Sequence, residues 1–223
     1  MFLLAGRQVI LKQKQKTRIQ QTNEARILEA ALEVFARQGF RGSTLDQIAK
    51  QASMSKPNLL YYFPSKDAIH IQLLEGLLDL WLAPLRAMQP DGNPRQELGT
   101  YIERKLEMSR DYPRESRLFA NEILRGAPHI HAILKEELAE LVEEKAKVIQ
   151  HWIDRGEIRP CDPRHLIFAL WATTQHYADF QSQVQAILGA DISDDEQFHQ
   201  ARQMLDMLFL DGLLGGNAQK RKD

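Results

Sequence analysis

The chain has 223 residues, 43 % of them hydrophobic and 26 % charged, which is enough to bury a full core and too apolar for a disordered protein. Its formal charge is only −1, but residues 1–70 carry +6 and the remainder −7, so any affinity for nucleic acid belongs to the first third. A single cysteine, Cys161, excludes an internal disulfide, and its flanks offer neither redox nor metal-ligand spacing, which fits a reducing cytoplasm.

In chain order, Met1 to Gly6 are too short for a signal-peptide core, and no run reaches the roughly 18 apolar residues of a membrane span. The chain is therefore expected to be cytoplasmic, with no membrane partner. Arg7, Lys12, Lys14, Lys16 and Arg18 stand among glutamines, so residues 1–21 read as a mobile basic arm. That arm is either a minor-groove or phosphate contact or a disordered extension. A first helix follows from residue 22 and ends at Gly39, where a left-handed residue suits a helix C-terminus.

Residues 44–67 are the most informative stretch. Thr44 and Gln47 make a capping box, and Leu45, Ile48 and Ala49 form a short apolar stripe. After a polar turn, Ser55 caps a second short helix in which Pro57 is tolerated in the first turn. This spacing predicts a helix-turn-helix. Lys56 and Asn58 at the start of its second helix suit base edges, while Thr44, Tyr61, Tyr62 and Lys66 suit phosphates. Leu59, between them, is assigned to the same DNA-contact set. The alternative is a helical hairpin with a solvated face.

Several pieces decide between the two. ArgIleLeuGluAlaAla (26–31), LeuGluValPheAlaArgGlnGlyPhe (32–40), ThrLeuAspGlnIleAla (44–49) and SerLysProAsnLeuLeuTyrTyrPheProSerLysAspAla (55–68) together resemble the DNA-binding domain of the tetracycline-repressor family of bacterial transcription regulators. That resemblance implies an all-α fold, a three-helix head over 22–68 and an effector-binding and dimerising body over 69–214. Its partners would be double-stranded palindromic operator DNA and a second copy of the chain.

The body agrees. Helix signals cover 65–83 (stopped by Pro84), 94–110, 114–125, 130–155, 162–188 and 195–214, giving nine helices with the head, before a polar tail at 215–223. The last two are more apolar than a monomer needs. Phe180, Val184, Phe198, Ala201, Met204, Leu205 and Leu208 are the expected dimer interface, with burial inside one subunit as the alternative.

One body helix is chemically unusual. Trp171, Gln175 and Asp179 fall on one face of an otherwise apolar segment, so Gln175 and Asp179 must meet water, each other or a ligand. LeuLeuAspLeuTrpLeuAlaProLeu (77–85), LysLeuGluMetSerArgAspTyrPro (105–113), ArgLeuPheAlaAsnGlu (117–122) and residues 162–180 are similar to the pyrimidine-utilisation branch of the same family. That resemblance implies uracil or thymine as effector. The Gln175 amide can donate to a ring carbonyl and accept from the adjacent N–H, and Asp179 can accept from another N–H. Trp81, Trp171 or Tyr177 would cover the ring face, with His176 either a further donor or a core or interface residue, and Tyr112 and Phe119 as walls.

Other chemistries find little support. His129 and His131 lack a third ligand in recognisable spacing, so no metal is expected. His176, Asp179 and a serine or Cys161 can be imagined as a catalytic triad, but no nucleophile elbow or Gly-rich phosphate loop accompanies them. The expectation is a regulator without a cofactor, not an enzyme.

Overall fold

The computed structural model describes residues 17–214, with no strand among them. Most of the expected basic arm, and all of the tail, lie outside the described residues. Taking the continuous runs 131–154 and 195–214 as one helix each, there are ten described helices where nine were expected.

Helix α1 (Arg18–Gly42) begins before residue 22, inside the segment assigned to the arm. Thr17 and Gln20 cap it reciprocally: the Thr17 hydroxyl accepts from the Gln20 N–H, and the Gln20 side chain accepts from the Thr17 N–H. Gly39 does not take the expected left-handed helical conformation. Its φ of 70° with ψ of 164° is open essentially to glycine alone, and the chain resumes a last turn to Gly42. Helices α2 (Leu45–Gln51) and α3 (Lys56–Tyr62) follow, capped by Thr44 and Ser55.

The apolar faces of these three helices, including Ile27, Phe35, Ile48 and Leu59, close into one core. That core continues along α4 (Lys66–Ala87) through Ile69, Leu77 and Trp81 to Leu118. Head and body therefore share packing. α4 runs through Pro84, where it was expected to stop. An interior proline costs about 3 kcal/mol, and the turn survives because Leu85 and Met88 beyond it are buried in the body core. α4 is also long and apolar enough to cross a membrane, but half of that stretch is buried inside the subunit, as in a core helix.

The body adds α5 (Pro94–Asp111), α6 (Pro113–Leu124), α7 (131–154), α8 (Pro163–Asp179), α9 (Gln181–Leu188) and α10 (195–214). The single helix expected over 162–188 is two. Phe180 leaves helical geometry (φ −113°, ψ 28°), and Gln181 is held at the break by Arg117 at 2.8 Å and Asp191 at 2.8 Å. Leu98, Ile102 and Leu106 of α5 pack with Ile149 and Trp152 of α7, Ile167 and Leu170 of α8, and Leu205 of α10. α6 lies between the head and α8, and Arg114 at its start pairs with Glu33 at 2.8 Å and Glu29 at 3.2 Å on α1.

The expected dimer stripe divides. Val184, Phe198, Ala201 and Leu205 are buried within the subunit and form part of its own packing, which corrects their assignment to an interface. Phe180, Met204 and Leu208 remain exposed, joined by Phe168, Ile187, Leu188 and Met207. On α10 the two sets are separated by about 100° per residue, so 198, 201 and 205 face inward while 204 and 208 face out.

Candidate DNA-contact face and effector site

The head presents α3 as expected. Asn58 is exposed, with its backbone N–H tied to Ser55 Oγ, and Tyr61 is 71 % exposed against the edge of Tyr62. Lys56 is exposed and paired with Asp46 at 2.8 Å, a contact that solvent and a competing phosphate can displace. Thr44 is exposed beside its capping box, and the Tyr62 hydroxyl accepts from Asn23 Nδ2 at 2.7 Å, which orients the ring.

Two assignments need correction. Leu59 has no exposed surface; it anchors α3 to the head core and cannot touch DNA. Lys66 gives its ammonium to the carbonyls of Phe40 and Ser43, both at 2.7 Å, and lies 4.4 Å from the Phe40 ring centroid. It ties α4 to the end of α1, leaving the amides at the α4 N-terminus as the groups facing a phosphate. Accordingly, Asn58→Ala is expected to flatten sequence preference, costing about 1–3 kcal/mol at one base pair. Lys66→Ala should lower the melting temperature and leave the salt slope of binding unchanged. Fluorescence anisotropy on operator variants at several salt concentrations checks both; a slope reduced by about one charge returns Lys66 to phosphate contact.

In the body, sequence reasoning missed the central group. Lys105 of α5 is 2 % exposed and makes no hydrogen bond among the described residues. Its ammonium lies 5.8 Å from the Trp81 ring centroid. Burial pushes its pKa down to about 7, against the nearby negative charge of Asp179. Burial likewise raises the Asp179 carboxyl above its ordinary range, opposed by the Ser116 hydroxyl bonded to it at 2.5 Å and by Lys105. A lysine in a helix reading GluArgLysLeuGlu looks like solvated surface, so only α4 and α8 packing across α5 reveals it.

Around this pair the structure gathers several predicted residues. Trp81 is buried with Tyr112 at 6.5 Å between ring centroids, and Gln175 lies one turn before Asp179 on the same face of α8. Gln175 is half-buried and its amide makes no hydrogen bond among the described residues. Ser109 fixes α8 against α5 by donating to the Thr174 carbonyl at 2.8 Å.

Others stand apart. His176 is exposed and stacked on Phe180 at 5.0 Å, and it reaches the site only through its electrostatic effect on the Asp179 carboxyl. Trp171 donates its indole N–H to Tyr101 Oη at 2.6 Å, one turn from Gln175, and is held in the α5–α8 packing. Phe119 packs between the body core and Leu74, Ala127 and Ile130. The groups that meet here are thus the Lys105 ammonium, the Asp179 carboxyl and the buried Trp81 ring, with Tyr112 exposed at the edge of Trp81 and Gln175 one turn away on the face of Asp179, chemistry suited to a small polar molecule.

Residues 27–73 match the profile of the bacterial regulatory proteins of the tetR family, and residues 74–215 match that of the YcdC-like protein C-terminal region. The HTH-type transcriptional regulator RutR of Escherichia coli K12 is 48 % identical over 187 residues, spanning 84 % of this chain and 88 % of its own. The chain belongs to the TetR family of transcription regulators. The repressor NicS of Pseudomonas putida is 28 % identical over 66 % of the chain and 69 % of its own length. Among solved structures, the ketosteroid transcriptional regulator KstR2 of Mycobacterium tuberculosis superposes with a TM-score of 0.66 at 21 % identity, covering 86 % of this chain and 94 % of that one. A TetR-like regulator from Rhodococcus sp. RHA1 gives 0.64 at 22 % identity, covering 87 % and 97 %. These two show the shared all-helical fold. Membership makes the chain a helix-turn-helix regulator of transcription and not an enzyme.

Proposed function

We propose that the chain is a homodimeric repressor of pyrimidine-related genes in the cytoplasm, released from a palindromic operator when uracil or thymine binds the body. The observation that carries this reading is the buried Lys105 ammonium near both Asp179 and the Trp81 ring, with Gln175 one turn before Asp179 on the same face of α8. A pyrimidinedione alternates carbonyl acceptors with N–H donors along one edge. Lys105 can donate to a carbonyl, Asp179 can accept from an N–H, and Gln175 can do both, so every polar group buried by the ligand finds a partner. Trp81 and Tyr112 offer the aromatic faces on which such a ring stacks.

The route to DNA runs through two helices. Trp81 belongs to the packing that α4 shares with the head, and Ser116, bonded to Asp179, lies on α6, whose Arg114 pairs with α1. A ligand drawing Asp179 away from Ser116 alters both supports of the head. Release requires that uracil bind the resulting head spacing more tightly than the operator-competent one.

A thermal-shift panel of nucleobases tests the reading. At 100 times its dissociation constant, uracil should add about 2.7 kcal/mol of stability, with cytosine and adenine inert and operator released in the same range. Gln175→Leu should bind operator normally and resist release by uracil. If uracil neither shifts the wild type nor dissociates it from operator, the effector is of another kind. A larger apolar molecule then has a place to go, an apolar groove of about 330 Å³ between α4 and α5 lined by Ala83, Pro84, Met88, Tyr101 and Met108.

A further inference from the structure

At the junction of head and body, three ligand-type side chains far apart in sequence meet. His70 stands on α4, one turn after Lys66; Glu122 stands near the end of α6; His129 lies in the segment between α6 and α7. His70 Nε2 is 3.3 Å from Glu122 Oε2, and His129 Nδ1 is 3.1 Å from the same oxygen. One donor atom from each residue can be chosen so that all lie within 4.8 Å of one another. His70 and Glu122 are buried, 2 % and 4 % exposed. The Phe40 ring stacks on His70 at 4.5 Å and meets the edge of His129 at 4.9 Å, closing the cluster on the head side.

We propose that His70, Glu122 and His129 bind a divalent cation of the zinc class, which clamps α4 to α6 where the head joins the body. Donors on a tetrahedral zinc with bonds of about 2.0–2.1 Å stand roughly 3.3 Å apart, and two of the three separations already match. The third, no longer than 4.8 Å for the best choice of donor atoms, closes by movement at His129, which belongs to no regular turn of α6 or α7. Two imidazoles and a carboxylate are a donor set that zinc and its neighbours favour over magnesium or calcium.

The surroundings orient two of the ligands. The His129 backbone N–H donates to Glu122 Oε1 at 2.7 Å, and Asp67 Oδ1 stands 3.5 Å from His129 Nε2, the carboxylate–histidine pairing common behind zinc ligands. A cavity of about 220 Å³ opens beside His70 and Glu122, between Phe40 of the head, Asn121 of α6 and Arg125 just beyond it, giving an entry path and room for water as a fourth ligand. His70 Nδ1 is buried without a hydrogen-bond partner.

A bound ion would join Glu122 to the helix that carries the head, adding a second input to operator affinity that is independent of the Lys105 site. The full-length protein, stripped with a chelator, is titrated with zinc chloride by calorimetry and separately with cobalt(II) chloride by visible absorption. The expected result is one ion per chain, a tetrahedral cobalt spectrum, and affinity weakened more than about tenfold in both His129→Gln and His70→Gln. His129→Gln, the more exposed position, keeps the test informative should His70→Gln unfold, and circular dichroism checks both. No stoichiometric ion in the wild type, or unchanged affinity in folded His129→Gln, overturns the site.

Discussion

Lys105→Met is expected to produce a protein that melts at a higher temperature than the wild type and no longer responds to uracil. A lysine whose pKa falls from 10.5 to about 7 on burial is unfavourable in its charged form. The unfolded chain holds more protons than the folded one between those two values, so this contribution to stability rises as pH rises from about 7 to 10.5. The full cost is felt at pH 7 and below. At about 1.4 kcal/mol per unit it is on the order of 4–5 kcal/mol. Removing the ammonium takes away one of the positive groups that favour the Asp179 carboxylate, beside Arg117 and His176, which offsets part of the gain and leaves about 2 kcal/mol. For a chain of this size that raises Tm by about 4–8 °C.

Scanning calorimetry at pH 6.5 and at the alkaline limit checks the sign, since the advantage over wild type should shrink as the solution becomes more basic. Ligand binding supplies the other half. If the ammonium donates to a ring carbonyl, uracil affinity of the wild type falls as pH climbs above 7, by at most about tenfold per unit, and Lys105→Met shows no such slope. A variant that is neither more stable nor impaired in uracil release removes Lys105 from the effector site.

The head was legible because its determinants are local. Capping residues at 44 and 55, a short apolar stripe and the turn between them specify two short helices and the break between them. What the pattern could not separate was side chains that face DNA from side chains that support those that do: Leu59 and Lys66 occupy recognition-helix and phosphate-end positions, yet one fills the core and the other caps α1. The body's site depends on helix pairs separated by many residues. Gln175 and Asp179 betrayed themselves as polar residues in an apolar helix, whereas Lys105 sits among charged neighbours and has no local signature. His70, Glu122 and His129 are likewise scattered, and no spacing rule relates them before α4 and α6 are packed.

The second large effect concerns the partner subunit. Phe168, Phe180, Ile187, Leu188, Met204, Met207 and Leu208 are between 47 % and 73 % exposed on three successive helices, more apolar surface than a soluble monomer ordinarily presents. A twofold pairing of α8, α9 and α10 with their mates would cover it and set two recognition helices on successive turns of the operator. Replacing both Met204 and Leu208 by Glu puts four like charges into that interface, with no cost to the subunit core because neither side chain enters it. The double variant should sediment as a folded monomer. Each head alone then forfeits the effective concentration its twin provides, so operator affinity should fall by about 10²-fold or more. Leu205→Ala separates this from general damage: buried within the subunit, it should cost about 2–4 kcal/mol of stability and leave the dimer intact. A Met204→Glu, Leu208→Glu protein that remains dimeric moves the interface elsewhere, and with it the geometry by which the two heads are spaced.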